Sequence, residues 1–212
     1  MKMRNKISLQ NLRPLCGLAA LFFAMAMAPR QGLAGAALEQ VRQTADQVLA
    51  VVQDPQLKGK ENERRDKIRQ ALASRFDFTE MAKRSLGAHW QRGSAEEQKQ
   101  FVKLFTELLE RSYASQIESY NGEKIVYGRE SVSGNQAEVD TKIITRKGEE
   151  VAVNYKLLNN GSNWKVYDVV IENISLVNNY RSQFSRILAN ASFSDLLQRL
   201  QSKNVAVKPV RG

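Results

Sequence analysis

The sequence predicts an α+β protein, and three observations predict it. Beyond an N-terminal leader, apolar residues recur at helical spacing over the first half of the chain. After Gly122 the period drops to two over four successive runs, and past Ser175 the helical spacing returns. Runs of helices on either side of an uninterrupted run of strands give an antiparallel sheet with helices packed against it, not alternating βαβ units.

Leu38, Val41, Ala45, Val48, Leu49 and Val52 follow the i, i+3, i+4, i+7 rule, so a first amphipathic helix runs from Ala37 to about Gln53 and stops at Asp54-Pro55. A polar link, "LKGKENERRDK", separates it from a second helix carrying Ile68, Leu72 and Phe76. Asp77 is placed to cap a short helix, "FTEMAKRSLG", that ends at Gly87. Ser94 followed three residues later by Glu97 is a capping box, in which each side chain satisfies the other's backbone donor. It opens a long helix with Phe101, Leu104, Phe105, Leu108, Leu109, Tyr113 and Ile117 on one stripe, ended by Asn121-Gly122.

"KIVYGRESV", "AEVDTKIIT", "VAVNYKLL" and "WKVYDVVIE" are the four strands, and the Gly and Asn of "SGN", "RKGE" and "NNGSN" supply the tight turns between them. Ala137, Val139, Thr141 and Ile143 alternate with polar residues, as do Val151, Val153, Tyr155 and Leu157, so one face of the sheet is apolar and the other largely wet. In the last strand simple alternation puts Trp164, Val166, Asp168 and Val170 on one face and Tyr167, Val169 and Ile171 on the other. That strand therefore reads as buried on both sides for part of its length. Val177, Tyr180 or Arg181, Phe184, Ile187 and Leu188 mark the next helix, and a last one begins near Ser194-Asp195 with Leu196, Leu197 and Leu200. The remaining 205–212 is expected to be a flexible tail.

The first residues read as an export signal. A basic stretch with Lys2, Arg4, Lys6 and Arg13 precedes an apolar run from Leu15 to Ala28, which is shorter than the roughly 18 to 20 residues that span a bilayer. Ala34-Gly35-Ala36 is an A-x-A site, so cleavage is expected after Ala36, leaving a single domain over 37–204 of the secreted chain. The only cysteine, Cys16, leaves with the leader, and a thiol-free secreted domain of roughly 175 residues must be stabilised by its core. Five of the 32 basic residues (Lys2, Arg4, Lys6, Arg13 and Arg30) and none of the 22 acids precede the cut, which halves the formal net charge of +10. That excess suits an acidic surface such as phospholipid headgroups or an acidic protein, and it is too dispersed for a nucleic-acid stripe.

Catalytic chemistry is sparse. The single histidine, His89, has no sequence-visible nucleophile beside it, and there is no phosphate loop, G-x-S-x-G or metal-ligand spacing. Asp168 is the best candidate for a general base, since a buried carboxylate can have a raised pKa; the structural alternative is that it accepts hydrogen bonds and holds strand to helix. What the chain has in abundance is converging apolar surface: the stripe around Phe105, the sheet face, and the helix from Val177 to Leu188.

"FDFTEMAKRSLGAHW" (76–90), "SAEEQKQFVKLFTELL" (94–109) and "WKVYDVVIENISLVNNYRSQFSRIL" (164–188), in this order behind a signal peptide, closely resemble the MlaC family, also described as toluene-tolerance proteins. The resemblance covers essentially the whole secreted chain. It implies a twisted four-stranded antiparallel sheet wrapped by about six to seven helices around an internal apolar cavity, an NTF2-like-type cone. It implies a periplasmic phospholipid carrier without catalytic activity or cofactor, its lipid being cargo. The carrier would shuttle between an outer-membrane lipoprotein-porin complex and an inner-membrane ABC lipid-transport complex, maintaining outer-membrane lipid asymmetry. The chain is expected to act as a monomer. On facing stripes, Phe105, Leu109, Val139, Ile143, Val153, Tyr155, Tyr167, Val169, Ile171, Val177 and Phe184 are expected to line the lipid pocket. Asn173 stands where the family usually has the glycine of "EGxS"; Asn tolerates a left-handed backbone, so the strand-to-helix turn is expected to survive. The alternatives are an enzyme on a cone-shaped α+β fold with Asp168 as base, and an adaptor for an acidic partner.

Overall fold

The computed structural model describes residues 35–120, 122–161, 163–205 and 210. The expected leader therefore lies outside the described residues, save for Gly35 and Ala36. The described part belongs to one compact unit, Gly32–Gly212.

Helix α1 (Ala36–Gln53) begins after Gly35, whose φ of 85° only glycine adopts cheaply. Its first amides are satisfied from far along the chain: the Glu130 carboxylate accepts the N–H of Gly35 at 2.9 Å and of Leu38 at 2.7 Å. A short 3-10 turn, Pro55–Leu57, leads to α2 (Glu61–Arg75), which starts inside the stretch expected to be a polar link. Glu61 and Glu63 favour a helix N-terminus, and no breaker follows Gly59. Only Ile68 of α2 is buried. The helix packs beside α1, and charge ties it to the long helix α4 (Ala95–Glu118): Arg65 binds Glu118 through Nε at 2.6 Å, and Arg69 binds Glu110 through Nε at 2.7 Å and Nη2 at 3.0 Å. Such forked guanidinium-carboxylate pairs are directional as well as attractive.

Between them α3 (Phe78–Leu86) is capped by Asp77, which accepts from the Glu80 N–H, and ends at Gly87 with φ of 55°. The capping box of Ser94 and Glu97 forms as the sequence predicts. After the sheet come α5 (Leu176–Leu188), capped by Ser175, and α6 (Phe193–Gln201), whose cap is Ser192 in a second box with Asp195, two residues earlier than expected. Of the expected tail, 206–209, 211 and 212 lie outside the described residues; Val205 packs against the core, and Val210 is buried with its N–H donating to Tyr113 Oη at 3.0 Å.

Among the described residues the sheet has five strands, not four. β1 (Lys124–Ser133), β2 (Gln136–Ile144), β3 (Glu150–Asn160) and β4 (Asn163–Ile171) pair in sequence order, and a two-residue β5 (Ile174–Ser175) folds back on β4, all antiparallel. The β4-β5 turn needs two left-handed residues, and Glu172 (φ 48°) and Asn173 (φ 65°) provide them. The asparagine thus does the work of the family's glycine.

Two irregularities decide which side chains share a face. In β4, Tyr155 pairs with Val169 and Lys156 with Asp168, but Leu157 pairs with Val166, so Tyr167 is an extra residue. This bulge reverses the alternation expected from sequence. Trp164 and Val166 lie on the same face as Val169 and Ile171, and Asp168 and Val170 lie on the other. A similar irregularity between Tyr127 and Glu130 keeps Ile125, Tyr127, Glu130 and Val132 of β1 on the apolar face, opposite Ile143, Thr141, Val139 and Ala137.

Asp168 is nonetheless 5% exposed, because the start of α5 covers it. Its carboxylate accepts from Ser175 Oγ at 2.6 Å and from the Val177 N–H at 3.0 Å, which fastens the helix to the strand. On the helical side Phe101, Phe105, Tyr180, Phe184 and Phe193 form an aromatic cluster with ring centroids 5.3–6.1 Å apart, mostly edge to face.

Asp168→Ala strands a buried N–H and loses two charge-assisted bonds, so it should cost about 3 kcal/mol, read from the urea midpoint. Asp168→Asn should cost less than half of that, because the Ser175 hydroxyl can turn to accept from the new amide. The Arg65 guanidinium, hydrogen-bonded to Glu118, holds that carboxyl below its usual range against its partial burial. A lowered folded pKa gives stability that is present above the unfolded value of 4.5 and lost as pH falls through the folded one. Glu118→Gln should therefore lower stability at neutral pH by up to about 1 kcal/mol, with the difference from the parent closing when unfolding is measured near pH 3.

Candidate functional site

The apolar face of the sheet is built in rows across the strands. Tyr127, Thr141, Val153 and Ile171 form one; Glu130, Val139, Tyr155 and Val169 the next; Val132, Ala137, Leu157 and Val166 the third; Asn159 and Trp164 close the series. Burial changes along it. At the far end Leu157, Val166 and Trp164 have no exposure at all and Ala137 is buried, while Val132 on the edge strand β1 is 40% exposed. At the near end Ile143, Val151 and Ile171, with Tyr127 and Tyr155, are only half-buried although they pack against the same core. The face is thus a dry apolar floor that opens at the end facing the β2-β3 turn.

Of the residues expected to line a pocket, Val139, Val153 and Val169 are buried on this floor, and Ile143, Tyr155 and Ile171 stand at its half-open end. Phe105 and Leu109 of α4 and Val177 and Phe184 of α5 are buried in the same continuous cluster. Tyr167 is parted from them: the bulge sets it aside, and the Arg84 guanidinium lies over its ring, 4.2 Å from the centroid. Tyr167 instead edges an open cleft of about 250 Å³ beside the β1-β2 turn, with Val132, Gln136, Ala137, Glu138 and Lys156 among its walls. Another open cleft, about 300 Å³, lies between α5 and α6 and is edged by Arg186, Arg199, Gln183 and Asn190.

Sequence reasoning missed Val151 and Tyr127. Val151 was visible in the alternation of β3. Tyr127 was readable too, from its spacing to Ile125, but the irregularity after it hides how β1 continues.

Burial pushes the Tyr155 phenol up to about 12, with Tyr127 adding to it. Burial likewise raises Tyr127, helped by the negative charge of Asp46 and opposed by Arg42, whose guanidinium lies 4.7 Å from the ring centroid. His89 meets Arg92 Nη1 at 3.0 Å through Nδ1, at the end of the turn after α3. Asp168 has both oxygens engaged as acceptors by Ser175 and Val177, the geometry of a tie between elements. Among the described residues no group of three or more His, Cys, Asp or Glu is placed to hold a metal ion, and no helix is long and apolar enough to cross a membrane.

Comparison with known proteins agrees with this architecture. The intermembrane phospholipid transport system binding protein MlaC of Haemophilus influenzae is 26% identical over 168 residues, covering 76% of this chain and 78% of that protein. The toluene tolerance protein ttg2D of Pseudomonas putida is 28% identical over 132 residues, 61% of each chain. A solved structure of a phospholipid-binding protein from Ralstonia solanacearum, in complex with a phospholipid, superposes with a TM-score of 0.73 at 27% identity, over 81% of this chain and 98% of that one. The family model for the MlaC protein matches residues 42–202. With three quarters of its length matched and the fold in common, the chain belongs to the MlaC family.

Proposed function

We propose that this protein is a periplasmic phospholipid carrier, and not an enzyme, that receives lipid at one membrane complex and delivers it at another. The observation that carries the reading is the apolar sheet face, sealed at one end and half-open at the other, in a fold shared with a protein solved in complex with a phospholipid. Acyl chains enter at the end of Ile143, Val151 and Ile171 and lie along Val139, Val153, Tyr155 and Val169. Phe105, Leu109, Val177 and Phe184 cover them from the helical side, and the headgroup stays in water. The leader expected from the sequence supports a location outside the inner membrane, and similarity to a protein named as the binding protein of an intermembrane phospholipid transport system supports docking at a complex in each membrane. On the family resemblance these are an inner-membrane ABC lipid-transport complex and an outer-membrane lipoprotein-porin complex.

The energetics suit carriage. Two chains of roughly 16 carbons, at about 0.8 kcal/mol per methylene, give on the order of 25 kcal/mol gross relative to water. A bilayer offers nearly the same, so a carrier needs to match the membrane and not to beat it. Transfer at a docked complex is then close to isoenergetic, and ATP hydrolysis elsewhere sets direction.

Native mass spectrometry tests this directly. Protein purified gently, or incubated with phospholipid vesicles, should carry added masses of phospholipid that organic extraction removes; protein that stays empty after both treatments overturns the reading. Ile171→Glu puts a carboxylate at the half-open end, where it can reach water, so it should cut lipid occupancy at least tenfold with circular dichroism near that of the parent. Val169→Glu, on the dry floor, should instead unfold the protein, because an unpaired buried charge costs several kcal/mol.

A further inference from the structure

Tyr127 Oη is buried and, among the described residues, has no hydrogen-bond partner. A buried hydroxyl left unpaired costs about as much as a broken hydrogen bond. Two other buried groups share this condition, the indole N–H of Trp164 and Nε of Arg64. The comparison with Trp164 is instructive, since it lies on the same face at the sealed end. An indole cannot be had without its N–H, so an orphan there is the unavoidable accompaniment of a large ring. A phenol hydroxyl is dispensable: phenylalanine offers the same ring with nothing to satisfy. A tyrosine whose hydroxyl is buried and unpaired needs a reason that a phenylalanine would not meet.

Its position supplies one. Tyr127 stands in the row of Thr141, Val153 and Ile171, just inside the half-open end. The other hydroxyl of that row is already engaged, Thr141 Oγ1 donating to the Val153 carbonyl at 2.6 Å. A chain that enters at the half-open end, with its headgroup in water, has its carboxyl end at the Tyr127 row. The group found there in a diacyl glycerophospholipid is an ester carbonyl, which only accepts hydrogen bonds and matches a lone O–H donor. Burial raises the phenol's pKa, so the proton is retained at neutral pH.

We propose that the Tyr127 hydroxyl donates a hydrogen bond to an ester carbonyl of the bound lipid and so selects ester-linked glycerolipids whatever their headgroup. This rests on the carrier reading. It gives the site a polar anchor at the one depth that all such lipids share, and leaves the headgroup free.

The test pairs a substitution with a change in the lipid. Binding of an ester-linked phosphatidylglycerol and of its diether analogue, presented in otherwise identical vesicles, is measured for the parent and for Tyr127→Phe. The parent should prefer the ester about tenfold, and Tyr127→Phe should lose that factor for the ester while binding the ether as the parent does, a cycle that isolates the one contact. The lipid-free variant should melt no lower than the parent, because an unpaired hydroxyl has been removed. Equal ester and ether binding by the parent overturns the proposal and leaves the carrier reading intact. So does a variant that keeps the ester preference, or one that is destabilised without lipid, as an internal structural bond would require. A parent that binds neither lipid overturns the carrier reading itself. The ester-to-ether ratio of the parent reads the hydrogen bond without any substitution.

Discussion

One extra residue in β4 organises the rest of the molecule. With Tyr167 set aside, Trp164 and Val166 come onto the face that Val169 and Ile171 already occupy, and the apolar floor runs unbroken along the strand. The same step turns Asp168 to the opposite face, where Ser175 and the first amide turn of α5 receive it. A regular strand would have to choose between a continuous floor and an anchor for the helix. Bulges bend and twist the strand that carries them, and the second irregularity, beside Gly128 in β1, lies near the opposite edge of the sheet. There an added Cβ would sit 3.1 Å from the Asp140 carbonyl oxygen, tight enough that a larger residue would push β2 away by a few tenths of an ångström.

The helices meet this sheet through a few polar ties of long sequence reach. Glu130 holds the start of α1, Asp168 the start of α5, and Arg75 bonds both Gln40 of α1 and the Trp164 carbonyl of β4. Each is partly or wholly shielded from water, where a hydrogen bond to a charged group is stronger than at the surface. Between them lies aromatic and aliphatic packing that is dense at the sealed end and incomplete at the other. Helix α2 differs in kind: it packs beside α1, is tied to α4 by forked arginine-glutamate pairs, and has Ile68 as its one buried residue. Its neighbourhood is the part of the helical layer whose hold weakens with salt or acid.

The mixture of a sealed and a half-open end suits a protein that carries hydrocarbon without holding it permanently. A fully closed core offers an acyl chain no way in, and a fully open face would aggregate. MlaC-family membership and the floor described above support the same reading from independent directions, one from similarity along the chain and one from where burial stops.

The sequence by itself determined the helices, four of the five strands, and their order. The capping box at Ser94, the cap at Asp77, the stop at Gly87 and the change of period after Gly122 are local signals, written within a turn or two of the residues they control, and each is realised. Local signals also placed Phe105, Val139, Val153 and Phe184 correctly in one apolar cluster, since facing stripes must meet in a domain of this size. The polar stretch before Ile68 misled, because α2 is stabilised by partners on α4 some forty to fifty residues away. Only the tertiary structure decided the parity of β4, because a bulge is defined by the partner strand's register and leaves no period in its own sequence. It alone separated Tyr167 from the floor, showed which end of that floor is dry, and left the Tyr127 hydroxyl without a mate among the described residues. Those are properties of where the chain meets itself, and a pattern read along one dimension carries the spacing of residues but not which distant residue answers them.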